Sequence, residues 1–173
     1  MIFLKKKLNW KGFISIGGLS LLFLLNSFKV SAQENPPRPM ALYLQQGLSF
    51  GAFFESITGG TVIITPNGIR STTGSIVLVN QGYQYFPCII QVQGNPGTVV
   101  HILMGPDATL TGNNGGSMTM QIGNSIPADP IIITAAPPGG TQVYIGGTLF
   151  VGNPLANPIG NYSGTFLIMF IQE

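Results

Sequence analysis

Of 173 residues, 45% are hydrophobic and only 7% are charged, which suits one domain with a single core and leaves its polar surface to Thr, Ser, Asn, Gln and backbone. All five lysines lie within residues 1–29, so residues 33–173 keep Arg38 and Arg70 against five carboxylates, a formal charge of −3 where the whole chain has +2; two arginines cannot track a phosphate backbone, which excludes a nucleic-acid partner. The lone Cys88 excludes an intramolecular disulfide.

Residues 1–12 carry Lys5, Lys6, Lys7 and Lys11, residues 13–25 are apolar and uncharged, and Val30-Ser31-Ala32 offers small side chains to a signal peptidase. Residues 1–32 therefore read as a cleaved secretory signal peptide. A membrane anchor needs about 18 apolar residues, and this run meets Asn26 and Lys29 too soon, so no stable membrane span is expected after cleavage. The product is expected to be exported, whether periplasmic, cell-surface or extracellular. Residues 33–47 follow as an extended N-terminal segment, polar and proline-rich as far as Pro39. From there Met40, Leu42 and Leu44 alternate with Ala41, Tyr43 and Gln45. That alternation fits the domain's own first strand, and it also fits a donor strand that completes the sheet of another copy.

Residues 48–173 are expected to form the folded domain. Short runs rich in Val, Ile, Thr and aromatics alternate with Gly, Pro and Asn clusters, the pattern of an all-β sandwich or barrel. The candidate strands are 49–54, 60–65, 75–79, 88–93, 98–104, 117–122, 131–134, 142–151 and 162–171, and nothing after residue 32 has helical periodicity. Between them, Pro66-Asn67-Gly68 and Gly94-Asn95-Pro96-Gly97 carry hairpin chemistry, with residues that tolerate positive φ between apolar runs. Residues 112–116 and 137–140 read as loops at a sandwich end.

In the run 142–151, Val143, Ile145, Gly147, Leu149 and Val151 share one face, and Gly146-Gly147 predicts a bulge or a close backbone approach. In the last run Phe166, Ile168 and Phe170 alternate with Leu167, Met169 and Ile171, so both faces are apolar. Such a C-terminal strand is expected to be central or covered on both sides, because an open apolar edge invites edge-to-edge pairing.

The chemistry-bearing residues are few. His101 is the only histidine and sits among Val99, Val100, Ile102 and Leu103, where a solvent-facing or hydrogen-bonded imidazole is expected. Cys88 shares a strand face with Ile90 and Val92 and is expected to be a buried core residue. Glu34, Glu55, Asp107, Asp129 and Glu173 are scattered, with Asp107 and Asp129 beside prolines in turns, and no His, Cys or Asp spacing suits a metal. No catalytic residue, cofactor or metal is expected, and the protein is expected not to be an enzyme. Tyr83, Tyr85 and Phe86 form the densest aromatic loop and are the expected contact surface, since tyrosine is enriched at recognition surfaces.

An ordered series of pieces carries a family resemblance. They are Phe50-Gly51, Gly59-Gly60-Thr61-Val62 with Pro66, Gly68 and Arg70, Gly94 with Pro96-Gly97, and Leu110-Thr111 with Gly115-Gly116-Ser117-Met118-Thr119. Gly147-Thr148-Leu149 with Val151-Gly152, and Gly160 with Tyr162, Gly164 and Phe166, complete it. From about Leu48 to Gln172 the chain resembles secreted bacterial domains grouped as domain of unknown function 4402. The resemblance implies an immunoglobulin-like antiparallel β-sandwich of roughly 7–9 strands without catalytic residues. It also implies a likeness to pilin and fimbrial subunits. Counting back from Glu173 as one, Gly160 is fourteenth, where chaperone-and-usher pilins carry glycine ahead of alternating apolar residues, but Gln172 stands where they carry a penultimate aromatic.

The expected function is that of a non-enzymatic exported structural or adhesive surface protein of fimbria-like kind, partnered by its own copies or by other surface proteins. The alternative is a monomeric secreted module that binds carbohydrate or protein.

Overall fold

The computed structural model describes residues 39–55, 57–80 and 82–173, so the expected signal peptide lies outside the described residues. Among the described residues the chain is all-β and antiparallel. In chain order the strands are β1 (Ala41–Gln46), β2 (Ser49–Phe50), β3 (Ala52–Phe54), β4 (Gly60–Ile64), β5 (Arg70–Gly74), β6 (Val77–Val79), β7 (Tyr85–Phe86) and β8 (Cys88–Gln93). Then come β9 (Val99–Met104), β10 (Ala108–Gly112), β11 (Ser117–Ile126), β12 (Ile131–Ile132), β13 (Thr141–Val151), β14 (Tyr162–Ser163) and β15 (Ile168–Gln172).

The larger sheet runs β1-β8-β13-β11-β10-β14, with β4 and then β5 alongside β13. A second sheet, β12-β9-β15, faces it, and two small ladders, β2-β7 and β3-β6, complete the architecture. The sandwich takes in β1, so it begins ahead of the expected boundary at residue 48. β1 pairs with β8 of the same chain, from Ala41 opposite Gln93 to Gln46 opposite Ile89.

Two of the predicted runs break where the backbone must turn. Gly51, at φ +69°, divides 49–54 into β2 and β3; a side chain there would sit in the strained left-handed region and within 3.2 Å of the Tyr83 carbonyl oxygen. The run 162–171 becomes β14 and β15 because its parts join different sheets: Tyr162 and Ser163 pair with β10, and from Leu167, whose carbonyl accepts the Gly105 N–H at 2.9 Å, the chain runs along β9. The 65–69 turn makes the predicted hairpin of β4 and β5. The 94–97 turn does not make one. The chain crosses there from β8 in the larger sheet to β9 in the smaller, and Gly97 donates its N–H to Ile133 at 2.8 Å.

β13 exchanges neighbours along its length. Thr141 to Ile145 pair with β8 and Gly147 to Val151 pair with β4, while β11 lies along the other side. Gly146 stands at the exchange, and a Cβ there would lie 2.3 Å from the Ile64 carbonyl oxygen, the predicted close approach. The irregularity in register falls on the partner strand, between Ile122 and Ser125 of β11.

The core divides into two clusters. One holds Val62, Ile64, Met118, Met120, Leu149 and Val151, and the other holds Cys88, Val92, Val100, Ile102, Val143 and Ile145. The second draws on both sheets, which makes the packing a sandwich. Each fully buried Ile or Val stabilises the fold by roughly 1.5–3 kcal/mol relative to exposure.

Candidate functional site

Two apolar strands stand at sheet edges. Among the described residues β15 pairs only with β9, from Ile168 opposite Met104 to Gln172 opposite Val100. Ile168 and Phe170 turn half-buried toward the core, whereas Leu167, Met169 and Ile171 are exposed, the last two by 47% and 48%. The expectation that this strand be central or covered is thus corrected: only three strands make up the smaller sheet, and the core faces one side of β15. Phe166 lies ahead of β15 and packs against both core clusters. At an edge of the larger sheet, Met40 packs against the core just ahead of β1, and β1 leaves Leu42, Tyr43 and Leu44 exposed, Leu44 by 69%.

The polar surface beside β1 is built from amides, as the sparse charge requires. Gln45 donates to Gln91 at 3.0 Å, Gln142 donates to Gln45 at 3.1 Å, and the Tyr144 hydroxyl donates to Gln142 at 2.7 Å, a ladder across β1, β8 and β13.

The aromatic loop splits its residues between roles. Arg70 lies 5.1 Å from the centre of the Tyr85 ring, and its guanidinium donates to the carbonyl oxygens of Ala52 and Val79. The guanidinium thus orients the Tyr85 ring, which stays 40% exposed. Phe86 is half-buried in β7, opposite Ser49. Tyr83 is 63% exposed and free to contact a ligand.

Tyr83 also lines a cleft of about 460 Å³. Its lining includes Met118, Met120 and Leu149 with the aromatic rings of Phe50, Phe53, Tyr162 and Phe166. Residues 154–161 form the rim, held by the buried Asn157, whose amide accepts from the Gly152 N–H and donates to the Ser117 carbonyl at 2.7 Å. Glu55 enters from the end of β3. Its Oε2 is shielded from solvent and meets no hydrogen-bond donor among the described residues, and burial raises its pKa. Tyr162 titrates above the usual tyrosine range, first through burial and then through the charge of Glu55.

His101 belongs to a separate cluster. Its Nδ1 lies 3.3 Å from Asp129 Oδ2 and its Nε2 lies 2.9 Å from Glu173 Oε1. Asp129 Oδ1 also accepts the Ile102 N–H at 2.6 Å. The Glu173 and Asp129 carboxylates raise the pKa of His101, while the Ile102 N–H and then His101 lower that of Asp129. Cys88 is fully buried, and burial pushes its thiol up to about 11, so it offers no thiolate at neutral pH.

Sequence reasoning missed the cleft and this carboxylate–imidazole–carboxylate cluster. Glu55 stands 107 positions from Tyr162, and the three members of the cluster span positions 101 to 173, so only the fold brings them together. The one available signal was an acid beside an apolar run in Phe53-Phe54-Glu55.

The model of one protein family, described as Domain of unknown function (DUF4402), matches residues 42–171, which takes in nearly all of β1. No curated protein and no solved structure matches the chain.

Proposed function

Because the chain belongs to the family Domain of unknown function (DUF4402), a premise that supplies a domain type but no activity, we propose that it is a non-enzymatic, exported structural or adhesive surface protein of fimbria-like kind. The observation that carries this reading is β15, an apolar strand paired on one side only among the described residues. A row of unpaired backbone N–H and C=O groups flanked by Met169 and Ile171 is a template for a strand from another chain, with the ladder supplying affinity and alternate side chains supplying specificity. β1 offers a second such edge with Leu42 and Leu44. The formal charge of −3 over residues 33–173 opposes association only weakly.

Light scattering after gel filtration tests the reading on residues 33–173, on the same chain lacking residues 33–46, and on the pair Met169→Lys and Ile171→Lys. Oligomers that vanish in either altered protein support strand-to-strand assembly. A monomer in every case sinks self-assembly. It favours the second reading, a monomeric module for carbohydrate or protein, for which the exposed ring of Tyr83 supplies a stacking surface.

A further inference from the structure

The cleft fits a segment of the chain that lies outside the described residues. Six aromatic rings line it, those of Phe50, Phe53, Phe54, Tyr83, Tyr162 and Phe166. Its polar side chains are largely spent at home. The Tyr162 hydroxyl donates to the Pro158 carbonyl at 2.7 Å, the Ser49 hydroxyl donates to the Gln84 carbonyl at 2.8 Å, and the Asn157 amide serves Gly152 and Ser117. A peptide that entered with a full set of backbone N–H groups would leave donors buried without acceptors. Pro36-Pro37-Arg38-Pro39 brings few, because proline has no N–H, and it is set in advance for the extended polyproline conformation that aromatic grooves recognise. Tyr83, 63% exposed and with its hydroxyl unpartnered among the described residues, can donate to one of the carbonyls of that segment.

The leader cannot fill the cleft of its own molecule. Ala41, where β1 begins, stands opposite Gln93, next to the pair of Val92 and Thr141 at the start of β13. Leu149, which lines the cleft, lies eight residues further along β13, about 26 Å on. Residues 33–38 span about 19 Å as polyproline, and they leave from the far end. We propose that residues 33–39 of one copy dock in the cleft of the next, with Pro36 and Pro37 seated among Phe53, Phe54 and Tyr83. This rests on the exported, self-assembling reading above, since cleavage after Ala32 would free the leader. Leader and cleft stand at opposite ends of β13, so the contact runs head to tail and extends into a fibre instead of closing on a pair.

Fluorescence anisotropy tests this with a labelled peptide of residues 33–40. It is titrated with the protein of residues 33–173, whose own leader carries Pro36→Ser and Pro37→Ser so that it does not compete. Saturable binding is expected. A peptide with Pro36→Ser and Pro37→Ser is expected to bind at least about fivefold more weakly, and Phe54→Ala or Tyr83→Ala in the protein is expected to weaken the parent peptide as much. Both side chains are exposed, so neither replacement opens the core. Met169→Lys with Ile171→Lys is expected to leave peptide binding unchanged, which separates a failure of this contact from a failure of edge pairing. Absent or unsaturable binding overturns the proposal, as does a serine peptide that binds as tightly as the parent, or binding that both alanine replacements leave intact. So does loss of peptide binding in the lysine pair, which would place the leader on β15. A peptide of residues 40–46 that displaces the leader peptide at lower concentration would give the cleft to a strand, and octan-1-ol bound where the leader peptide is not would give it to a small apolar molecule; either result overturns the proposal.

Discussion

His101 Nε2 and Glu173 Oε1 are 2.9 Å apart, tying the middle of β9 to the residue that follows β15. Asp129 holds the other ring nitrogen at 3.3 Å, so the imidazolium bridges two carboxylates. The folded-state pKa of His101 is raised above 6.5, so its contribution is complete below that value and is lost as pH rises through the folded one. Asp129 is shifted downward from 3.8, so its contribution is present above that value and lost as pH falls through the folded one. Stability is therefore expected to be greatest between these limits and to decline on the alkaline side. Denaturant midpoints across pH check this, and His101→Gln is expected to flatten the alkaline decline. NMR titration of the only histidine should place its midpoint above that of a model peptide.

Cys88 is expected to resist thiol reagents in the native protein and to react only on unfolding, because it is fully buried and its thiol titrates near 11. Cys88→Ser places a hydroxyl among Val92, Val143 and Ile145 and should cost about 1–3 kcal/mol. Labelling kinetics against denaturant would separate this from a reactive thiol, since rapid native-state labelling contradicts the burial.

Asn157→Ala is expected to destabilise the fold by about 1–3 kcal/mol, because it orphans the Gly152 N–H and the Ser117 carbonyl beneath the cleft rim. Asn157→Asp should be worse, since it loses the donor to Ser117 and buries a charge. Thermal unfolding ranks the two. If both matched the parent protein, the rim would not depend on this amide.

Gly146→Ala is expected to cost about 1–3 kcal/mol, because its methyl group would meet the Ile64 carbonyl oxygen at 2.3 Å, too close for either strand to yield locally. Hydrogen exchange should show protection lost at the junction of β4 and β13 ahead of β9 and β15. Uniform loss would mean that the strain spreads through the whole fold.

Particular residues show how much of this could be read from the chain. Cys88–Gln93 matches the predicted run at both ends, and β13 differs from its prediction by one residue, since both carry strongly apolar β-branched patterns. Arg70–Gly74 and Ala108–Gly112 went unpredicted because Thr, Ser and Gly dominate them, and they are strands through the partners β4, β11 and β14 supply. Local chemistry at 94–97 signalled a turn but not the change of sheet, which depends on where β9 finds its neighbours. For the candidate site, Tyr83 and the apolar residues of β1 and β15 were legible from their side chains, but the edge position of β15 was not. Glu55 and the His101 cluster were not, because the partners that give them meaning are remote in sequence.

The exchange of neighbours along β13 makes two hydrophobic clusters one thermodynamic unit. Val143 and Ile145 belong to one cluster and Leu149 and Val151 to the other, so melting either cluster alone would leave half of a continuous strand ordered and half free. A chain with no disulfide acquires in this way a tie of its own, one strand that belongs to both halves of the core.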